Sequence, residues 1–109
     1  MMTPSNRQES VLDALREALH AHYGARLSST VLFGSRARGE ATPDADYDIL
    51  VVLKGDVDQQ AERRVLRDIV YPLCLAHDAV VACHVVPVHR YRAERSPFML
   101  NVRREGISV

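Results

Sequence analysis

Two short polar stretches hold the residues with the clearest potential for chemistry. Gly34-Ser35 ends the strand-like stretch 29–33, and Asp46-x-Asp48 opens the strand-like stretch 47–53. Residues two apart on a strand point to the same face, so Asp46 and Asp48 place two carboxylates side by side. The two anions repel, and a divalent cation between them relieves the repulsion. Because carboxylate oxygens favour Mg²⁺ or Mn²⁺, the pair predicts a magnesium site.

The Gly34-Ser35 dipeptide predicts a phosphate-binding turn. Glycine permits the close backbone approach that a phosphate oxygen needs, and Ser35 adds a hydroxyl donor and can begin a helical turn whose free N–H groups attract anions. No His or Lys base stands at a recognisable spacing, so Ser35 is interpreted as a phosphate contact and not as a nucleophile. Arg36 and Arg38 are either planar donors to phosphate or solvated turn residues. The G-x-x-x-x-G-K-[ST] motif of the P-loop is absent from the chain.

The helices that must position these residues follow from apolar periodicity. A first helix carries an apolar stripe from Val11 onward, with Ser5 and Gln8 as a capping box. A second begins after Asp56, and Pro72 kinks or ends it. A short last helix starts at Ser96-Pro97 and stops at Gly106.

Strands are predicted between these helices, over 29–33, 47–53 and 79–86. The resulting order is α-β-β-α-β-α. Neither the helices nor the strands can bury their apolar faces alone. The sequence therefore predicts an α/β (α+β) fold, with a small mixed β-sheet flanked by helices in a single domain over residues 1–109.

Composition narrows the function classes. The 109 residues carry 14 basic and 14 acidic side chains, for a formal net charge of zero, and only four Tyr and two Phe. Such a chain lacks the cationic field that holds nucleic acid backbones, so direct nucleic acid binding is disfavoured. The longest apolar runs have five residues, whereas a membrane span needs about 20. With no apolar region typical of a secretory signal, we expect a cytoplasmic protein without membrane contact.

Taken together, the two motifs resemble a known signature. An apolar residue, Gly34-Ser35, ten intervening residues and Asp46-x-Asp48 are similar to the pattern of the polymerase-β nucleotidyltransferase superfamily. The chain most resembles the minimal MNT-type domains, the antitoxins of HEPN/MNT toxin–antitoxin pairs. The resemblance covers nearly the whole chain and is most specific over residues 33–51.

The resemblance implies an activity and a set of site residues. The superfamily transfers a nucleoside monophosphate from a nucleoside triphosphate to a hydroxyl and releases pyrophosphate; here we expect AMP from ATP and a hydroxyl of a partner protein, a small helical HEPN-type protein. Asp46 and Asp48 would bind Mg²⁺ and, with Ser35, form the catalytic set. Gly34 and Ser35 would hold the nucleotide phosphates, with Arg36 and Arg38 as further candidates.

One departure from the superfamily pattern leaves an alternative open. Relatives supply a third carboxylate from a later strand, and the matching position here is His84, a poor magnesium ligand. Glu40, Asp44 and Glu105 are possible substitutes. Without a third acid, the chain could instead be a catalytically weak or inactive module that neutralises or regulates its partner by binding alone.

Overall fold

The computed structural model describes residues 4–109, and side chains from residue 10 onward. Its helices are α1 (Pro4–Tyr23), α2 (Gln59–His77), α3 (Val88–Ala93) and α4 (Pro97–Glu105). Its strands are β1 (Leu27–Phe33), β2 (Tyr47–Leu53), β3 (Val81–Pro87) and β4 (Ile107–Ser108), and a 3₁₀ turn at Gly24–Arg26 joins α1 to β1. None of the helices in this described part combines the length and the apolar character that a membrane span needs.

The four strands form one mixed sheet in the order β3-β2-β1-β4. β2 runs antiparallel to β1 and parallel to β3, and β4 pairs antiparallel with β1. The antiparallel register places Phe33, the last residue of β1, opposite Asp48 near the start of β2. The loop that leaves β1 therefore meets the carboxylates that open β2. The predicted α/β (α+β) fold with a small mixed sheet is confirmed.

The two faces of the sheet are covered by different helices. Ile49 and Val51 pack in a core cluster with side chains of α1 and α2. Leu50 and Val52, which point the other way, pack in a second cluster with side chains of α4. Asp48 shares the alternation of Leu50 and Val52, so it lies on the α4 face, at the end where β2 begins and where its side chain stays partly exposed.

The last helix begins and ends as predicted. The Ser96 hydroxyl accepts a hydrogen bond from the Met99 N–H at 3.2 Å, and Gly106 is the C-cap residue. This confirms Ser96 as an N-cap followed by proline. The predicted capping box of Ser5 and Gln8 involves side chains that lie outside the described ones.

Helix α2 corrects two predictions. Asp58 is its N-cap, because its carboxylate accepts a hydrogen bond from the Ala61 N–H at 3.2 Å; Asp56 lies two residues too early. The helix also continues past Pro72 to His77, so of the two predicted effects of Pro72, a kink or an end, the end is wrong. Proline removes one backbone hydrogen bond, and the apolar face of α2 on the sheet offsets that loss.

Two short elements were not predicted, and two strand boundaries shift. α3 follows β3 directly, and β4 has only two residues, too few to show a period-two pattern. β4 exists because its backbone pairs with the free edge of β1 at Val31 and Leu32. β1 begins two residues before the predicted strand, at Leu27, and β3 covers Val81–Pro87 where 79–86 was predicted.

Candidate active site

The loop after β1 starts with a glycine that no other residue could easily replace. Gly34 has a φ of +77°, in the left-handed region. A Cβ built on Gly34 would overlap the Asp48 carboxylate. The Gly34 carbonyl accepts hydrogen bonds from the N–H groups of Ala37 at 3.1 Å and Arg38 at 3.2 Å. The missing side chain therefore lets a tight turn lie directly against the carboxylate.

Ser35 is the next residue of this turn, and it is partly exposed. Its carbonyl accepts a hydrogen bond from the Glu40 N–H at 2.9 Å, which closes the turn. Among side chains from residue 10 onward, no partner binds its hydroxyl. The hydroxyl is thus available to a ligand, and its role as a phosphate contact stays a prediction.

Asp46 and Asp48 lie together at the start of β2. Asp46 immediately precedes the strand and Asp48 is its second residue. Burial raises the pKa of the Asp48 carboxyl, and the neighbouring Asp46 charge raises it further, whereas His84 and Arg38 act in the opposite direction. Ionising Asp48 is therefore costly in the protein as it stands.

The chemistry of this pair fits a divalent cation. Within the described side chains, neither carboxylate forms an ion pair with Lys, Arg or His. Two repelling carboxylates without a protein cation are a donor set that Mg²⁺ satisfies. No group of three or more potential ligands occurs among the described residues. An ion held by Asp46 and Asp48 would consequently take its other ligands from phosphate oxygens and water.

Arg36 supports the loop that carries the carboxylates. Its Nε donates to the Ala45 carbonyl at 2.9 Å, and one terminal nitrogen donates to the Pro43 carbonyl at 3.1 Å. The guanidinium also lies over the Tyr47 ring, 3.8 Å from its centroid. A planar group that makes all three contacts fixes residues 43–47 against the turn. The structure thus gives Arg36 a local positioning role; its contact with phosphate stays a prediction.

Arg38 lies between two carboxylates. Its Nε donates to Glu40 at 3.2 Å, and one terminal nitrogen donates to Glu105 at 3.1 Å. Glu105 also accepts the Gly34 N–H at 3.1 Å, and the Arg38 hydrogen bond holds the pKa of this carboxyl below its usual range. The end of α4 is thereby tied to the first amide of the turn. No local sequence pattern signals this contact, because Gly34 and Glu105 lie 71 residues apart.

The structure also places the candidates for a third acid. β3 has no Asp or Glu, and its register sets Ala82 opposite Asp48 and His84 opposite Leu50. Since Ala82 and His84 share a strand face, His84 projects on the Asp48 side of the sheet, where it is exposed. Two of the substitute acids, Glu40 and Glu105, are paired with Arg38, and the third, Asp44, is an exposed loop residue.

This arrangement has the parts needed for phosphoryl chemistry. A glycine turn with an available hydroxyl lies against Asp48, one of two neighbouring carboxylates that suit a divalent cation, and both carboxylates are at least partly exposed. Residues 12–105 match the family model described as a nucleotidyltransferase domain. The chain belongs to the nucleotidyltransferase domain family.

Two curated relatives of this chain come from Methanocaldococcus jannaschii. The one named "Putative protein adenylyltransferase MJ1305" is 32% identical over 95 residues, which cover 86% of the chain and 55% of that protein. The one named "Putative protein adenylyltransferase MJ0604" is 43% identical over 51 residues, 47% of the chain and 49% of that protein. The chain spans about half the length of the curated relatives it matches.

Several solved structures share the fold of this chain. One from Sulfolobus solfataricus, described as a "putative nucleotidyltransferase", has a TM-score of 0.61 at 20% identity. The match covers 99% of this chain and 86% of that one. A toxin–antitoxin with AMP-PNP has a TM-score of 0.64 at 21% identity, and the match covers 88% of this chain and 69% of that one. A tri-AMPylated Shewanella oneidensis HEPN toxin in complex with MNT antitoxin has a TM-score of 0.52 at 20% identity, and the match covers 97% of this chain and 71% of that one. The predicted membership of the nucleotidyltransferases, with MNT antitoxins as structural neighbours, is confirmed.

Proposed function

We propose that this nucleotidyltransferase uses Mg²⁺ to transfer AMP from ATP to a hydroxyl of a partner protein, and that it serves as the antitoxin of a HEPN/MNT pair. The observation that carries the proposal is the contact between the Gly34-Ser35 turn and the carboxylate of Asp48. This contact supports the proposal because it joins the turn to which we assign the phosphates and the pair to which we assign the cation at one point of the sheet.

Each residue has a defined part in the proposed reaction. Asp46 and Asp48 would hold the cation, which when bound neutralises phosphate charge and orients the triphosphate. The Gly34-Ser35 turn would bind the β- and γ-phosphates through backbone N–H groups and the serine hydroxyl. The acceptor hydroxyl oxygen forms a bond to the α-phosphorus, the bond from that phosphorus to the bridging oxygen breaks, pyrophosphate leaves, and the hydroxyl proton passes to solvent.

The comparisons support a protein as the acceptor. Both curated relatives carry the name protein adenylyltransferase. Two of the structural neighbours are complexes of a toxin with its antitoxin, and in one of them the HEPN toxin is AMPylated. A small helical HEPN-type protein is therefore the partner we propose for this chain.

A second candidate function follows from the missing acid. Within the described residues the carboxylate pair has no third potential ligand, and β3 offers His84 where relatives supply a carboxylate. A site with less negative charge holds a second, acceptor-side cation more weakly. The alternative is a nucleotidyltransferase-fold module that binds nucleotide and neutralises its partner without transfer.

One labelling experiment separates the two functions. The purified chain is incubated with the small helical protein encoded by the neighbouring reading frame, Mg²⁺ and ATP labelled on either the α- or the γ-phosphate. We expect label from α-labelled ATP alone to enter the partner, and an Asp46→Asn, Asp48→Asn double variant to transfer none. A partner that is bound and inhibited but never labelled would support the binding module instead.

A further inference from the structure

One open edge of the sheet lies along β3, which is an outermost strand. The Val80 carbonyl, just before this strand, accepts a hydrogen bond from the Tyr47 N–H of β2 at 2.8 Å. In a parallel ladder alternate residues direct both backbone groups to the same neighbour, so the even-numbered residues of β3 face β2. The odd-numbered residues, Val81 and Cys83 among them, therefore direct their N–H and carbonyl groups outward from the sheet.

This edge is closed at one end and open at the other. The Gln59 side chain donates to the outward Val85 carbonyl at 2.9 Å, and Pro87 has no N–H to leave unpaired. Within the described part of the chain, no group pairs with the outward N–H and carbonyl groups of Val81 and Cys83. An uncovered strand edge is a template for a further strand.

A groove of about 340 Å³ lies beside the open stretch, between β3 and α2. Three buried apolar side chains form its floor, and three exposed side chains of α2 form its rim. The floor consists of Leu66, Val70 and Val81, and the rim consists of Arg63, Arg67 and Tyr71. The rim residues are spaced four apart, so they form one stripe of the helix. We call this surface, with the outward backbone groups of Val81 and Cys83, the edge groove.

The charge of the edge groove is unbalanced. No Asp or Glu of the described residues lines it, and none of their side chains forms an ion pair with Arg63 or Arg67. Asp68 follows Arg67 on α2, but it is exposed and does not line the groove. An occupant that carries carboxylates would supply the partners that these two guanidinium groups lack.

A second copy of the chain is less suitable as the occupant than an acidic segment of another protein. A two-fold pairing of two β3 edges would bring the Arg63 and Arg67 side chains of both copies to one seam. Like charges repel there, and this pairing brings no carboxylate of the groove to offset them.

The open stretch begins level with the candidate active site. The register of β3 on β2 sets Val81 opposite Tyr47 and Ala82 opposite Asp48. A strand added to β3 would lie two strand spacings, about 10 Å, from β2. A segment docked there would hold the adjoining part of the same protein beside the carboxylate pair.

We propose that the edge groove receives an extended segment of the partner protein, rich in apolar residues and in Asp or Glu. The inference rests on the proposed function, because it supposes a protein as the acceptor. Backbone hydrogen bonds to Val81 and Cys83 would bind the segment as an added strand. Every second side chain of that strand faces α2, where apolar groups meet the floor and carboxylates meet Arg63 and Arg67.

Reversing the charge of the rim tests the proposal with the small helical protein encoded by the neighbouring reading frame. In the Arg63→Glu, Arg67→Glu double variant, carboxylates would face carboxylates, so we expect calorimetry to show at least about tenfold weaker binding of this partner. The circular dichroism spectrum and the affinity for ATP with Mg²⁺ should stay unchanged. Arg92→Glu with Arg95→Glu is the matched control, since both arginines are exposed and lie outside α2 and β3. This control should bind the partner like the wild type.

Hydrogen exchange of single amides, followed by NMR, tests the strand addition itself. In the free chain, the N–H groups of Val81 and Cys83 should exchange faster than those of Ala82 and His84, which face β2. Saturating partner should slow exchange at Val81 and Cys83 at least about tenfold and leave Ala82 and His84 nearly unchanged. Because this measurement uses the wild type, it decides the question even where a variant fails to fold.

Transfer kinetics relate the edge groove to the reaction. With α-labelled ATP, the Arg63→Glu, Arg67→Glu variant should raise the KM for the partner and leave kcat unchanged, because the groove holds the partner away from the reacting atoms.

Several results would overturn the docking site. Full partner affinity in the double variant, or unchanged exchange at Val81 and Cys83 in the complex, would refute it, and AMP transfer by such a wild type would leave the proposed function intact. Slow exchange at these amides in a concentrated sample of the chain alone would assign the edge to a second copy. A complex that passes both binding tests without any transfer would refute the proposed function and keep the docking site. A wild type that does not bind the partner would refute both.

Discussion

Two regions of this small protein hold acidic side chains, and their environments are opposite. Glu62, on α2, is buried; it accepts a hydrogen bond from the Tyr23 hydroxyl at 3.0 Å and pairs with Arg26 at 3.1 Å. Asp46 and Asp48, at the start of β2, are more exposed and face each other without a cation among the described side chains. The more buried acid has its partners, and the accessible pair lacks them.

We infer that this difference separates a stabilising acid from a pair of ligand-binding ones. Glu62 links α2 to the end of α1; burial, together with its hydrogen bond, raises the pKa of the Tyr23 phenol. Asp48 instead has its own pKa raised, first by burial and then by Asp46. We infer that a fold which pairs the buried Glu62 and leaves the repulsion between Asp46 and Asp48 unrelieved keeps this second point for a ligand that supplies positive charge.

Removal of both unpaired carboxylates should give the largest effect. In Asp46→Asn with Asp48→Asn we expect Mg²⁺-dependent nucleotide affinity to fall at least about a hundredfold, because both cation ligands lose their charge. Calorimetric titration with ATP and Mg²⁺ measures it, and the circular dichroism spectrum should not change. Titrations that match the wild type would show that the cation lies elsewhere.

A second change tests the contact between the turn and the pair. Gly34→Ala forces a Cβ onto the Asp48 carboxylate and strains a positive φ, so we expect at least about tenfold weaker binding of nucleotide with Mg²⁺. Gly39→Ala is the matched control, since Gly39 has a similar φ of +73° with no atom within 4 Å of the added Cβ. Both variants should lose about 1–2 kcal/mol of stability. If the two variants weaken nucleotide binding equally, backbone strain alone explains the effect of Gly34→Ala, and the contact with Asp48 does not matter for binding.

Much of the sheet and the core of the candidate site could be predicted from the sequence. Gly34-Ser35 and Asp46-x-Asp48 are local patterns beside apolar runs, and the antiparallel pairing of those runs suffices to bring the motifs together. The last helix was also predictable, because Ser96-Pro97 and Gly106 are strong local signals at its ends.

The rest depends on contacts between distant parts of the chain. Glu105 reaches Gly34 only because α4 crosses the sheet, and Phe98 meets His84 for the same reason. β4 forms because its two residues pair with the free edge of β1. Helix α2 continues through Pro72 because tertiary packing outweighs the local effect of proline. No local periodicity encodes these features.

The third prediction concerns the paired region. Glu62→Ala leaves the buried Tyr23 hydroxyl without its acceptor, so we expect a loss of about 1–3 kcal/mol in the free energy of unfolding. Glu62→Gln keeps an acceptor for Tyr23 and loses the charge and the acceptor oxygen that face the half-exposed Arg26, so it should cost less. Urea denaturation measures both, and nucleotide binding at a temperature where the variants are folded should match the wild type. A binding defect in Glu62→Gln would mean that the two acidic regions are coupled.

The smallest expected effect is a gain of stability when Asp48 loses its charge. The folded-state pKa of Asp48 is raised, so ionisation costs more in the folded than in the unfolded chain and destabilises the protein as the pH rises through that value. Without divalent cations, Asp48→Asn should therefore have a higher urea midpoint than the wild type at pH 7, and the difference should vanish below the ordinary Asp pKa of about 3.9. Added Mg²⁺ should stabilise the wild type and reduce the difference in urea midpoint between it and Asp48→Asn at pH 7. A less stable Asp48→Asn in metal-free buffer at pH 7 would reveal a stabilising partner for this carboxylate and end the contrast with Glu62.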